Sequence, residues 1–561
     1  MVRQVLLSVC LIAVTVCEAR PVPCRRAVKA NHVGYNPAAP KVFMIRDPLC
    51  RRFEIHTIDP DVRWKKVFEG ELHPVEGRPG LFTGDFSELK KPADYRIVCA
   101  TNEVTMVCSD FRTDGPEGQW SHSFVIKPDA YATVERMIAN FFTWQRCGSK
   151  KGWAGECHRD LVTLYGTDHK IDLSGGYHQS GDLRGWAEGI SLSFYGYLRW
   201  AEMKKPLWDD GIVEEELRWA LDYFLKAVGP EGYAYDSHFA PIGWGPRDYY
   251  PVPAPMPGQC NIVMLFSRAA RYFRVKDPGY AERMIATARR MIADLQTNPA
   301  YDVPYKPMVD NLPAGSQVAI WWQSRRTTGN SIAALAMAAL EFYRATGEKR
   351  YADLAKKYGR SLLSLQFTDG PFAGAFRQEE GVDELSFVSG SYGHLISGWR
   401  TAFEFDCEFP DEPEWRKSAM LVCDHLLKMW KMGGGEESVG VRARSGEEIY
   451  TEEPFRAYVV RGNSASSLMR TSILFNQAAR RYGRRDLIEP AQRMIDFVLG
   501  ANPQDGCYVN GAGYNHFATN VFGQFFPSTP AIPGGFAHKL AGEYDMPPAG
   551  LALWAFAEAA R

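Results

Sequence analysis

After Pro128 the chain reads as a run of amphipathic helices whose connections alternate in length, and this alternation restricts the architectures open to it. Twelve helices are predicted, near 128–147, 186–203, 213–228, 261–275, 279–296, 330–346, 350–366, 391–406, 413–431, 464–482, 486–500 and 547–560. In the third, Val213, Leu217, Leu221, Phe224, Leu225 and Val228 make an apolar stripe, and Gly229-Pro230 stops it. Odd-to-even connections are long (148–185, 229–260, 297–329, 367–390, 432–463 and 501–546), whereas most even-to-odd ones are short links such as DPG, TGEKR and YGRRD. The units YFRVKDPGYAERMIATARRMI, YRATGEKRYADLAKKYGRSLL and ARRYGRRDLIEPAQRMIDFVL look alike, so the pattern is a repeated helical hairpin. Six hairpins closing on themselves predict an all-α (α/α)6 barrel, with even helices inside and every long loop on one face. An open helical solenoid is the alternative.

The 561 residues leave room for a second, smaller domain. Residues 26–114 carry short alternating runs (KVFMIRD, RRFEIHTI, KKVFEGEL, GLFTGDF, ADYRIVCA, VTMVCSDF) between turn residues, which predicts an all-β sandwich of immunoglobulin-like size ahead of a helical domain at 125–561. Arg3, the apolar run Val5–Val16 and Ala19 read as a signal peptide over residues 1–19, hence a secreted or periplasmic protein with no membrane anchor after cleavage. A net charge of -1 gives no reason to invoke nucleic acid or an anionic membrane. Of twelve cysteines, Cys10 and Cys17 leave with the signal; the remaining ten are too sparse for a disulfide scaffold.

Chemistry-bearing residues concentrate between Gln145 and Asp182. Cys147, Cys157, His158 and His178 have the donor types of a closed tetrahedral zinc site, although on spacing alone a Cys147–Cys157 disulfide competes. Asp182 precedes the second helix and Glu543 the twelfth; both helices are even, so both carboxylates are expected at one barrel mouth. A carboxylate pair can protonate a leaving oxygen and deprotonate an attacking water, whereas either acid alone reads equally as a helix cap or ion-pair partner.

Several segments resemble glycoside hydrolase family 9. NHVGYNPAAPKVFMI (31–45) is similar to the start of the immunoglobulin-like domain preceding many of its catalytic domains. FFTWQRCG, ECH and DLSGGYHQSGD resemble its catalytic loop, LGANPQDGCYVNGAGYN (499–515) its Gly-x-Asn-Pro segment, and GEYDMPPAGLALWAFAEAA its closing motif and last helix. The resemblance implies inverting hydrolysis of a β-linked polysaccharide or oligosaccharide, with Asp182 as general base, Glu543 as general acid and a structural zinc on Cys147, Cys157, His158 and His178. Calcium, bound by some relatives, has no identifiable site here, and no organic cofactor is implied. The chain also departs from the family. Gln179 stands where a first aspartate usually helps hold the water, Gly542 replaces the usual Asn, and Tyr514, Asn515 and His516 replace a Pro-rich His-His-Arg stretch.

Trp321, Trp322, Arg461, Tyr514 and His516 are candidate sugar contacts; Trp186, Arg184, Arg325 and Arg326 share the predicted mouth loops, and the arginines raise an acidic or sulfated glycan as substrate. Ordinary loop packing and surface ion pairs are the competing explanation for each. Two other functions compete with hydrolysis: a polysaccharide lyase using Tyr514 and His516, and a glycan-binding protein that has lost turnover. The sequence is silent on sugar identity, endo or exo action and oligomeric state.

Overall fold

A computed structural model describes residues 26–59, 63–76, 78–99, 119–163, 168–181, 185–204, 211–236, 252–302, 325–370, 372–377, 379–381, 397–432, 465–503, 505–515, 532–537 and 544–561. The N-terminal part is strand-rich: β1 (Val28–Lys29), β2 (Gly34–Tyr35), β3 (Val42–Arg46), β4 (Arg52–Asp59), β5 (Arg63–Pro74), β6 (Leu81–Asp85), β7 (Ala93–Val98) and β8 (Phe124–Ile126). They form one sheet in the order β1-β3-β6-β5-β4-β7-β8-β2. The long strand β5 changes partner along its length, pairing with β4 up to Glu71 and with β6 from Leu72. That exchange curls the sheet around buried Phe43, Phe53, Ile55, Phe86 and Phe124.

The rest is mainly helical, with two small two-stranded sheets among the described residues. Among the described residues there are α1 (Ala132–Trp144), α2 (Ala187–Met203), α3 (Ile212–Ala227), α4 (Met256–Phe273), α5 (Pro278–Thr297), α6 (Gly329–Thr346), α7 (Lys349–Ser364), α8 (Ser397–Glu408), α9 (Pro413–Met432), α10 (Ala465–Tyr482), α11 (Ile488–Val498) and α12 (Met546–Ala559). Burial separates most of the even helices from the odd ones, although α11 is also largely buried. In α2, α4, α6, α10 and α12 nearly every side chain is buried, whereas α3, α5 and α7 bury one stripe. The even helices therefore lie inside. They pack in chain order, α2 on α4, α4 on α6, α6 on α8, α8 on α10 and α10 on α12, and α12 returns to α2. No described helix is long and apolar enough to cross a membrane.

Two glycines allow the return contact. A Cβ on Gly550 of α12 would lie 2.2 Å from the Ser193 carbonyl oxygen of α2, and one on Gly196 would lie 2.4 Å from that of Gly550. Below this crossing, Arg199, Arg268, Glu341, Gln477 and Glu558 stand at one depth on five even helices, and Arg400 joins them from α8. Arg400 bonds Gln477 at 2.6 Å, Gln477 bonds Glu558 at 2.5 Å, and Arg344 bonds Glu341 at 2.9 Å. Arg199 and Arg400 both lie over the Trp554 ring. Burial works to raise the Glu341 carboxyl, but the surrounding arginines outweigh it and hold it down to about 2. This paired layer lies toward the C-terminal ends of the even helices α2, α4, α6, α10 and α12.

Candidate active site and four-donor cluster

The loop after α1 is shaped by residues tolerating left-handed backbone. Gly175 and Gly176 have φ of 86° and 73°, and a side chain at Gly176 would run into Tyr223 at 2.8 Å. The turn lays Tyr177 against Arg146, with Cys147 N–H donating to Gly176 O at 2.9 Å and His178 N–H to Gln145 O at 2.8 Å. Cys147 and His178 thereby come to adjacent rungs. His158, itself at φ 48°, closes the group with Cys157.

The four donor atoms lie within 4.8 Å of one another. Cys147 Sγ is 3.7 Å from Cys157 Sγ and 3.3 Å from His158 Nδ1, and Cys157 Sγ is 3.3 Å from His178 Nε2. Neither cysteine is in a disulfide, whose sulfurs would sit at about 2.05 Å. Two thiolates bonded to one tetrahedral zinc at about 2.3 Å would be about 3.8 Å apart, so the donor set fits that ion. Hydrogen bonding from Cys147, then from His158 and His178, holds Cys157 well below the ordinary thiol range, while the bond shared with Cys157 pushes Cys147 above it.

Gln145 connects this cluster to the segment that ends at Gly181. Wholly buried, it accepts from Trp153 Nε1 at 2.6 Å and donates to Ser180 O at 3.3 Å. Arg146 pairs with Glu216 at 2.6 Å, and Tyr177 and Thr143 also bond Glu216, so α3 anchors the loop. Sequence reasoning missed Gln145 and Glu216. Their only signal is adjacency to Cys147 in one case and a carboxylate on the apolar side of α3 in the other.

Asp182, Glu543, Trp321, Trp322, Arg184, Arg461 and His516 lie outside the described residues. The segments flanking the two carboxylates are described, and they are joined. Ser180 and Asp545 form an antiparallel bridge, and Met546 N–H donates to Gln179 O at 2.9 Å. The buried Gln179 side chain lies over Gly189 of α2, where an added Cβ would meet its Oε1 at 2.4 Å. That Oε1 has no hydrogen-bond partner among the described residues. Glu188, in the first turn of α2, is a second buried carboxylate that sequence reasoning did not single out. Arg325 and Arg326 are engaged by Glu379 and Asp302, at 3.0 and 2.5 Å. Trp186 is buried at the start of α2, and Tyr514, half exposed, stacks on His122 at 4.4 Å.

Residues 131–529, which take in α1 to α11, match the family described as Glycosyl hydrolase family 9. The chain belongs to glycosyl hydrolase family 9. It is 22% identical over 528 residues to a cellodextrinase from Butyrivibrio fibrisolvens, covering 88% of this chain and 86% of that protein. Among solved structures, AaCel9A in complex with cellobiose-like isofagomine superimposes with a TM-score of 0.64 at 18% identity, covering 95% of this chain and 99% of that one. A Zn-binding triple mutant of the family 9 endoglucanase J30 gives 0.68 at 16% identity, covering 94% and 100%. The likeness to these two structures takes in both the helical domain and the curled N-terminal sheet.

Proposed function

We propose that the protein is an inverting glycoside hydrolase acting on a cellulose-like β-linked glycan. Glu543 gives its proton to the glycosidic oxygen as the C1–O bond breaks, and Asp182 takes a proton from the water that adds to C1 from the opposite face. The carrying observation is the Ser180–Asp545 bridge, because in sequence Asp182 comes two residues after Ser180 and Glu543 two residues before Asp545. The orphaned Gln179 Oε1 beside this bridge accepts a hydrogen from the attacking water and so positions it, without sharing negative charge as an aspartate would. Trp321, Trp322, Arg461, Tyr514 and His516 contact the sugar. The cellobiose-like ligand of AaCel9A and the cellodextrinase likeness support a β-glucan as substrate.

The same reading takes the helices as an (α/α)6 barrel over 125–561, the sheet as an immunoglobulin-like module over 26–114, and residues 1–19 as an export signal. A zinc ion held by Cys147, Cys157, His158 and His178 leaves no open coordination position, so it supplies structure alone. Through Gln145 it fixes the loop bearing Gln179 and Asp182.

Asp182→Asn and Glu543→Gln, assayed on cello-oligosaccharides and on neutral, acidic and sulfated β-glycans, are each expected to lose at least about 100-fold in kcat. Equal turnover by both variants and the parent would refute these roles. Binding by the parent without product would point to the glycan-binding alternative.

A further inference from the structure

A second group of metal-type donors lies where the strand-rich module meets the helical domain. His32 follows β1, His122 precedes β8, and Asp505 comes from the loop after α11. His32 Nε2 is 3.1 Å from Asp505 Oδ1 and His122 Nε2 is 3.0 Å from Asp505 Oδ2, and the three side chains are 1%, 6% and 0% exposed. We propose that His32, His122 and Asp505 form a divalent transition-metal site, of zinc type, that fastens the N-terminal module to the helical domain. This goes beyond the hydrolase reading and does not depend on it.

Two imidazoles and one carboxylate suit zinc and its neighbours, whereas calcium and magnesium require shells of oxygen. The donors converge from three separate segments, one atom from each within 4.8 Å of the others. The surroundings hold them in place. Gly500 and Gly513, at φ 124° and 70°, press against the His32 ring, where added Cβ atoms would stand 2.5 Å from Cδ2 and 3.1 Å from Nδ1. Asp505 itself adopts φ 53°, a conformation that costs a non-glycine residue energy, and Asn515 clamps its carbonyl at 2.8 Å. Arg26 N–H donates to Oδ2 at 2.6 Å, the kind of outer hydrogen bond that orients a ligating carboxylate. Tyr514 covers the group, stacked on His122 and edge-on to His32, with half its surface in solvent. The anchored loop continues through the Val509–Phe536 and Ala537–Tyr544 bridges to the segment next to Glu543. The site therefore bears on both the module junction and the catalytic mouth.

Metal content decides the matter. The full-length protein is stripped with a chelator, reloaded with excess Zn2+, desalted and analysed by mass spectrometry for bound zinc, with no substrate needed. The expected result is two equivalents in the parent, one in His122→Gln, one in Asp505→Asn, and one in the Cys147→Ser/Cys157→Ser double variant. Asp505→Asn keeps the size and hydrogen-bonding reach of the side chain, so it covers the case in which His122→Gln does not fold. Loading with Co2+ adds a second readout: Asp505→Asn should retain the sulfur-to-cobalt charge-transfer band of the Cys147 cluster and lose the additional absorption without sulfur character. One equivalent in the parent, removed by the double cysteine variant, would overturn the proposal and leave a hydrogen-bonded His-Asp-His contact. Two equivalents persisting in both His122→Gln and Asp505→Asn would also overturn it.

Discussion

Asp496 of α11 is buried at the junction with the N-terminal module. Its Oδ1 accepts from Asn31 at 2.9 Å and from Gln492 at 2.8 Å. Burial raises its pKa to about 7, against the lowering effect of those bonds. The unfolded chain ionises this group near 3.9. Between about 4 and 7 the folded state therefore holds a proton that the unfolded state has released, and stability falls as pH rises through that window before levelling off. Asp496→Asn should flatten that slope, which urea unfolding at pH 5 and pH 8 will show. At Gly189, the Gly189→Ala methyl would occupy the place of the Gln179 amide. We expect about a 10- to 100-fold loss in kcat with KM little changed, measured on a soluble cello-oligosaccharide. Residue-level legibility followed chemical rarity. Cys147, Cys157, His158 and His178 stood out because few other functions collect such donors, and the structure groups them. Asp505, His32 and His122 did not, because their meeting depends on a contact between distant segments that no local spacing reveals.

The loop from α1 to α2 is the element on which the proposed chemistry depends. Removing metal from the Cys147 cluster should leave two sulfurs and two imidazoles without the ion that holds them together, free the Gly-Gly turn and slacken Gln145. Chelator treatment is expected to lower both the unfolding temperature and kcat, and Zn2+ should restore both; calorimetry alongside assay tests this. Helices were the most legible elements, since apolar stripes and hairpin links are local signals. The structure begins α4 at Met256, ahead of the predicted 261, because Pro257 lies in the first turn, where its missing N–H costs nothing. Strands were legible as runs but not as pairings. The partner exchange within β5 depends on which edges lie beside it, and β8, three residues long, falls beyond residue 114, where strand-like text ended.

For the whole molecule, parity of helices was readable and closure was expected from the six hairpins, but the residues at the seam were not readable. Link lengths predicted that even helices face inward, and burial agrees. The seam between α2 and α12 depends on Gly196 and Gly550, two ordinary glycines in sequence. Gly550→Ala should force the helices apart and destabilise the protein by about 1–3 kcal/mol, as read by denaturant unfolding. Glu341→Gln, leaving Arg268 and Arg344 without their buried partner, should cost about 3–5 kcal/mol by the same measurement. The paired layer lies toward the C-terminal ends of the even helices, and the loops carrying Asp182 and Glu543 are expected to meet at the other end. The most direct test of that arrangement is proton NMR of the anomeric signals during the first minutes of hydrolysis of a β-1,4-linked cello-oligosaccharide. Single displacement by water predicts α-anomer at the newly formed reducing ends, relaxing to the equilibrium mixture by mutarotation. Initial release of β-anomer, or of an unsaturated sugar, would contradict the account.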